Sequence, residues 1–287
     1  MLCLLCTQNA VIASPQFCKE HFCNWVVAVI KQTIKNNNLI PDVAKVGVAV
    51  SGGKDSMVLL ATLHKLGYDV TALCVDEGIA AYRANTLAIA KAFCETSNIP
   101  MKVLSFKEMV HESLDTFLKT YTGVPCRACG AWRRAALNEL AQGFAVIATG
   151  HNLDDEAQTV FMNLVHNQPS LNARIGPRVG TTELTGYVQR IKPLFWLSER
   201  QIKAYAFLEN IPVDPAACPH QGKSFRAAIR DMLNRIELAS PQIKLQLMLH
   251  ALQQHPVVAV LQTCTVCALP CASSICRSCA LQKEIVQ

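Results

Sequence analysis

No stretch of this sequence is apolar for the about 18 residues that a membrane helix requires. The longest apolar runs, residues 25–30 and 256–261, stop far short of that. The N-terminus, MLCLLCTQNA, has no basic residue ahead of its short apolar stretch and makes a poor secretory signal. Charge is scarce too, at 17% of residues. Its sign is only mildly biased, 27 Lys and Arg against 21 Asp and Glu for a net +6. That balance is compatible with a polyanionic partner without requiring one. Global disorder is excluded, because 51% of the 287 residues are apolar and can bury a sizeable core. Together these features predict a soluble cytosolic protein built as one large domain with attachments.

Cysteine is abundant, at 14 residues, and clustered. A secreted disulfide framework more often sits in a shorter chain, whereas paired cysteines in a reducing cytosol more often hold metal. Cys3-x2-Cys6 and Cys18-x2-His21 offer four soft donors in two pairs, a tetrahedral zinc arrangement in which Cys23 competes with His21 for the fourth place. Cys264-x2-Cys267 and Cys276-x2-Cys279 make a second set and leave Cys271 over. Four ligands leave no open position, so both sites would be structural; the alternative is unligated thiols. Cys126 and Cys129, in Pro125-Cys-Arg-Ala-Cys-Gly130, have no second local pair. Apart from the isolated Cys74 and Cys94, the remaining candidate is Cys218, in the loop of residues 214–220. Three thiolates leave a metal incomplete, as in an iron–sulfur cluster with one iron open to an outside ligand. A buried thiol or a redox pair is the alternative.

Between the cysteine-dense ends, strand-like and helix-like segments alternate. Residues 45–51, 69–75, 101–105 and 145–149 are short Val- and Ile-rich runs. Helical spacing follows each, over residues 55–66, 81–96, 110–120 and 154–165, and again over 198–210 and 224–252. This alternation predicts an α/β fold with a Rossmann-like parallel sheet covered on both faces, whose ligands bind beyond the carboxyl ends of the strands. The organisation expected is a zinc module over residues 1–26, a catalytic domain with a helical C-terminal part over 27–255, and a zinc ribbon over 256–287.

The first strand runs into Ser51-Gly52-Gly53-Lys54-Asp55-Ser56 and then an apolar helix. Glycines that let the backbone approach an anion, free N–H groups and a helix N-terminus suit phosphate binding, with Ser51, Ser56 and Lys54 as further donors. The spacing is not that of a Walker A loop, because Val48 and Asp55 stand where Gly and Ser or Thr are needed. A second turn, Gly150-His151-Asn152-Leu153-Asp154-Asp155-Glu156, also follows a strand and opens a helix. Its acidic run suits a magnesium ion or, alternatively, an ordinary N-cap.

SGGKDS resembles the pyrophosphate loop of the PP-loop ATP pyrophosphatases. Taken in order with CxxC–CxxH, PCxxCG followed by Arg133 and Arg134, GHNLDDEA, a lone cysteine before Pro219-His220, and CxxC–CxxC, the whole chain resembles the TtuA-type tRNA 2-thiouridine synthetases. That group includes the cytoplasmic wobble-uridine thiolases. The resemblance implies an enzyme that adenylates O2 of a tRNA uridine with ATP, releases pyrophosphate, and lets sulfide displace AMP. It implies ATP bound, with magnesium, by Ala49, Ser51, Gly52, Gly53, Lys54, Ser56, Cys74, Gly150 and Asp155, and catalysis by Asp55, Arg133 and Asp155. Arg133 stands where some members carry Lys. It also implies a 4Fe–4S cluster on Cys126, Cys129 and Cys218 whose free iron takes the hydrosulfide, and zinc on each terminal set. A homodimer and a sulfur donor, either sulfide or a thiocarboxylated ubiquitin-like protein, come with the family. The related tRNA cytidine-32 thiolases use two central CxxC pairs, which Cys218 with its neighbours Ala217 and Pro219 does not supply. The alternatives are such a cytidine thiolase, another PP-loop adenylating enzyme, or a catalytically silent zinc-ribbon tRNA binder. Two basic stretches agree with an RNA partner: Arg174, Arg178, Arg190, Lys192, Arg200 and Lys203 against Glu183 and Glu199, then Lys223, Arg226, Arg230 and Arg235 against Asp231. A solvated helix face is their alternative.

Overall fold

A computed structural model of the chain describes residues 1–179, 187–220, 224–253 and 262–286. Glu183, Lys223, the apolar run 256–261 and the expected boundary between residues 255 and 256 lie outside them.

The chain opens with a hairpin, β1 (Ile12–Ala13) and β2 (Gln16–Phe17), and helix α1 (Lys19–Asn36). Next come β3 (Lys45–Ala49), α2 (Lys54–Lys65), β4 (Asp69–Asp76), α3 (Arg83–Thr96) and β5 (Met101–Ser105). Short helices α4 (Phe106–Val110) and α5 (Leu114–Phe117) lead to α6 (Pro125–Leu140), β6 (Val146–Ala148) and α7 (Leu153–Val165). A 3-10 turn (Pro169–Arg174), β7 (Arg178–Val179), β8 (Arg190–Ile191), α8 (Glu199–Leu208), α9 (Phe225–Ala239) and α10 (Ile243–Leu252) follow. A second hairpin, β9 (Gln262–Thr263) and β10 (Pro270–Cys271), precedes α11 (Arg277–Val286).

Six strands form the central sheet in the order β5-β4-β3-β6-β8-β7, parallel except for β7 against β8. The α/β architecture expected from the alternation is present. Chain order runs outward in both directions from the β3–β6 pair, so the switch point of the sheet lies there. One face of β4 packs Val70, Ala72 and Cys74 against α1, α2, α3 and α8; the other turns Leu73 and Val75 the opposite way, towards α6. Burial on both faces explains the unbroken apolar run of β4.

Several elements differ from the sequence expectation. The helix expected over 110–120 is two short ones, because α4 ends at His111 in the left-handed region (φ 61°) and Ser113 caps a new start. The stretch 224–252 breaks between Ala239 and Ile243, at Ser240 and Pro241. Helix α6, which carries the PCxxCG motif in its first turn with Pro125 leading, has no counterpart in the expectation. Helix α1 runs unbroken across the expected boundary at residue 26, with His21 in its first turn and Val26, Ile30 and Ile34 in the central core.

The acidic run 154–156 divides by direction. Asp154 is buried and pairs with Lys244 of α10, whose Nζ also donates to Asn234 Oδ1 and Glu237 Oε2, both at 2.8 Å. Its second oxygen accepts the Glu199 amide of α8 at 2.8 Å. Asp154 thus ties three helices together. Asp154→Ala should lower the denaturant midpoint with unchanged m-value, a loss of about 2–3 kcal/mol, below the usual cost of breaking a buried pair because Lys244 keeps two partners.

Candidate active site

The turns after β3 and β6 face each other at the switch point, and a cavity of about 480 Å³ lies between them and α6. The first turn is locked by its own hydroxyls. The Ser51 amide donates to Ser56 Oγ (3.1 Å), Ser56 Oγ donates to the Gly53 carbonyl (2.9 Å), and the Gly53 amide donates to Ser51 Oγ (3.3 Å). Gly52 has φ +81°, and a Cβ there would meet the Thr86 carbonyl at 2.5 Å, so no side chain fits. Lys54 bridges Asp55 (3.0 Å) and Glu199 (2.7 Å); burial works against its ammonium, but the two carboxylates raise its pKa overall.

In the second turn Asn152 caps α7 reciprocally with Asp155, and its Nδ2 donates across to Asp55 Oδ1 at 3.0 Å. Gly150 permits this contact, since a Cβ there would lie 2.9 Å from the Asp55 carbonyl carbon and from the Ser56 nitrogen. Asp55 and Asp155 both line the cavity. Burial pushes both carboxyls up, and with the charge of Asp55 nearby Asp155 reaches about 7. His151, which exchanges a hydrogen bond with Thr149 Oγ1 (2.9 Å), goes the other way: burial and the cations Lys192, Arg133, Arg226 and Arg190 hold it at about 4, neutral near pH 7. Two carboxylates that repel each other, beside a turn rich in anion donors, suit a magnesium nucleotide.

Ala49, Ser51, Asp55, Ser56, Arg133, Gly150 and Asp155 all line this cavity, and Gly52, Gly53 and Lys54 belong to the same turn. Cys74 does not join them. The strand alternation of β4 turns its side chain into the core, and Leu73 and Val75 face the cavity instead.

The terminal cysteines form two compact sets, Cys3, Cys6, Cys18 and His21, and Cys264, Cys267, Cys276 and Cys279, whose donor atoms lie within 4.8 Å of one another in each. Both follow one plan: a CxxC pair beside a hairpin, then two ligands at the start of a helix. Backbone amides donate to Cys264 Sγ from Cys276 (3.2 Å) and Val266 (3.5 Å), and these bonds bring that thiol down to about 6 despite burial. A four-donor shell of soft ligands fits zinc. Cys23 lies outside the first set, pushed up to about 11 by burial and by Glu209, and Cys271 donates to the Ser273 carbonyl at 2.8 Å.

Cys126 and Cys129 occupy the first turn of α6, and the loop of Cys218 folds back onto them. Cys126 Sγ donates to the His220 carbonyl (3.7 Å), His220 Nε2 meets Asp115 Oδ1 (3.1 Å), and Cys129 and Cys218 pack against one apolar cluster. Among the described residues only the terminal sets close to 4.8 Å, so this trio is set wider than the shell of a single ion. Three thiols gathered from α6 and the Cys218 loop offer three ligands to a multi-iron cluster. One turn further along α6, Gly130, Arg133 and Arg134 line the nucleotide cavity.

Residues 25–237 match the PP-loop domain family. The chain belongs to it. It is 31% identical to the tRNA-5-methyluridine(54) 2-sulfurtransferase of Thermus thermophilus, covering 98% of this chain and 91% of that one. It is 32% identical to cytoplasmic tRNA 2-thiolation protein 1 of Dictyostelium discoideum, over 99% and 83%. Among solved structures, the U34-tRNA thiolase NcsA of Methanococcus maripaludis, with its 4Fe-4S cluster, matches with a TM-score of 0.84 at 27% identity over 99% of this chain and 96% of that one.

Two residues of this PP-loop site went unnoticed in the sequence. Arg83 donates to the Ser51 carbonyl at 2.6 Å and pairs with buried Glu77 at 2.9 Å, and Arg133 stands 3.8 Å from the other Glu77 oxygen. No motif marks them, because their partners are set by the fold. Conversely, Lys192 pairs with buried Glu156 (2.7 Å), and Arg178 bonds Gln189 and the carbonyls of Asn37 and Asn38; both are internal ties, not free cations.

The raised carboxyl of Asp155 has a stability consequence. The folded chain holds that proton more tightly than the unfolded chain, so ionised Asp155 costs stability above about pH 7 and costs nothing below the ordinary carboxylate value of 3.8. Asp155→Asn should therefore stabilise the ligand-free protein by about 1–2 kcal/mol at pH 8, allowing for partial solvent contact, and by little at pH 4. Thermal melts at the two pH values check this, and a destabilised variant at both would contradict it.

Proposed function

We propose that this chain is an ATP-dependent tRNA-uridine 2-sulfurtransferase. The single observation that carries the reading is the geometry of α6, whose first turn bears two of the three central thiols and whose next turn lines the nucleotide cavity. A nucleotide-activating site and a thiol set on one helix put adenylation and sulfur delivery side by side. The relatives that carry tRNA thiolation in their names support the substrate class.

In this mechanism O2 of the uridine attacks the α-phosphorus of ATP and pyrophosphate leaves. The Gly52 N–H and the Lys54 ammonium hold the departing phosphates, and Asp55 and Asp155 would hold a magnesium ion that neutralises charge on them. Neutral His151 and the Arg133 guanidinium line the same cavity and face the developing charge there. Sulfide then adds at C2 and AMP departs, leaving the 2-thio base. Cys126, Cys129 and Cys218 would hold the 4Fe–4S cluster, which, with three protein thiolates, keeps one iron free to bind sulfide. Zinc on the terminal sets would fix the two ends of the chain. No helix among the described residues is long and apolar enough to cross a membrane. A cytosolic location agrees with the relatives named as cytoplasmic.

Lys54→Ala or Asp55→Ala should slow tRNA-dependent AMP and pyrophosphate release on the order of 100-fold while tRNA binding persists. Release of ADP and phosphate by the wild-type protein would overturn the assignment, and absence of tRNA-dependent AMP release would favour a silent tRNA binder.

Cys218→Ala, prepared without oxygen, should lose both thiolation and the brown absorbance of the cluster yet keep ATP binding. Full thiolation by that variant would overturn the cluster role, and full thiolation by iron-free wild type would favour instead a persulfide relay between Cys126 or Cys129 and Cys218.

A further inference from the structure

A second, smaller cavity of about 250 Å³ lies where α6 meets the C-terminal cysteine module. Arg134 and Arg190 line both this groove and the nucleotide cavity, so they form a common wall. The module closes the far side with Pro270 and Arg277, the residue directly after Cys276, and Ala131 and Ala135 keep the α6 surface low. Leu281 of α11 is fully buried in the same apolar cluster as Trp132 of α6, which fixes the module in place.

The charges in this groove are unbalanced. Three arginines line it, and among the described residues no lining carboxylate is present. Arg190 is held by neutral partners: its Nη1 donates to Tyr187 Oη (2.8 Å), its Nη2 to the Arg134 carbonyl (3.2 Å), and its guanidinium lies over the Tyr187 ring, 5.2 Å from the centroid. The Arg134 guanidinium sits below its ordinary pKa because of burial and the neighbouring Arg190 and Arg133. Like charges gathered without a counter-charge repel, and an anion between them relieves that repulsion. The phosphate-cradling turn, Ser51 to Ser56, contributes nothing to this groove, so it is separate from the ATP phosphates. An aromatic ring, a guanidinium layered on it and a low apolar floor are what an unstacked base requires, and the arginines are what its phosphodiester requires.

Resting on the tRNA-thiolation reading, we infer that this groove is a subsite for the nucleotide adjoining the reacting uridine in the RNA strand. Its phosphodiester lies among Arg134, Arg190 and Arg277, and its base against Tyr187. The C-terminal module then does more than close the fold, because it supplies one wall of the RNA path into the active site.

The test uses the metal-loaded full chain with Arg277→Gln, Tyr187→Leu and Tyr187→Phe, residues that line the groove and not the nucleotide cavity. Affinity for unmodified tRNA is measured across a salt series, with ATP affinity and zinc content measured alongside. Arg277→Gln should weaken tRNA binding several-fold and lower the salt slope by about 1, as expected for one lost phosphate contact. Tyr187→Leu should weaken it on the order of tenfold and Tyr187→Phe far less, because the phenyl ring still stacks. ATP affinity and zinc content should stay at wild-type values. Unchanged tRNA affinity in both Arg277→Gln and Tyr187→Leu would overturn the subsite, as would weakened ATP binding with tRNA binding intact. A wild-type protein that binds no tRNA would remove the substrate class and the subsite together. One that binds tRNA through these residues but forms no thiouridine would refute the proposed activity and leave the subsite standing.

Discussion

The distance between two strand-to-helix turns governs the chemistry of this protein, and position 150 sets that distance. Gly150 lies against the backbone of Asp55 and Ser56 so closely that a single added carbon would sit 2.9 Å from both. The contact brings Asn152 within 3.0 Å of Asp55 and turns Asp55 and Asp155 into one cavity, where neither carboxylate is comfortable alone. A parallel sheet supplies the opportunity, because its strands diverge at the switch point and leave a crevice. The glycine decides how narrow the crevice is. The pairing of the two acids follows from that approach.

Around this crevice, charge is used in two opposed ways. Asp154, Glu156 and Glu77 are buried with cations at close range and hold helices together. Asp55 and Asp155, half-buried, line one cavity together, and Arg133, Arg134 and Arg190 line it as well. The first kind lowers the energy of the empty protein; the second raises it and is relieved when a ligand brings the missing charge. Adjacent residues of one motif, Asp154 and Asp155, fall on opposite sides of this division because successive helix positions point about 100° apart.

What the sequence made legible were features enforced locally. SGGKDS and GHNLDDEA carry glycines where the backbone must approach another group, and the terminal cysteine sets carry their ligands at fixed spacing, so both could be recognised without knowing the fold. The side chain of Cys74 lies in the core, because the strand period of two puts Leu73 and Val75 against the cavity instead. Helix α6 was hidden because a Pro-led, glycine-containing CxxC run looks like a loop, although proline at the first helical position is favourable. Glu77 and Arg83 were invisible for a different reason: their meaning is a contact with Ser51 and Arg133 that only the tertiary structure creates. The basic stretches were half informative, since Arg178 and Lys192 are spent on internal partners while Arg190 faces the cavity.

The two cysteine modules share a plan but reach the active site by different routes. The N-terminal one ends in α1, which packs on α8, and α8 begins with the Glu199 that pairs with Lys54. The C-terminal one ends in α11, which packs on α6, the helix that bears Cys126, Cys129 and Arg133. Order at one end therefore bears on the turn that carries Lys54, and order at the other bears on the helix that carries the central thiols. Helices α1 and α11 each begin at a compact four-donor set, so the packing of the chain ends is coupled through α8 and α6 to the geometry at the switch point.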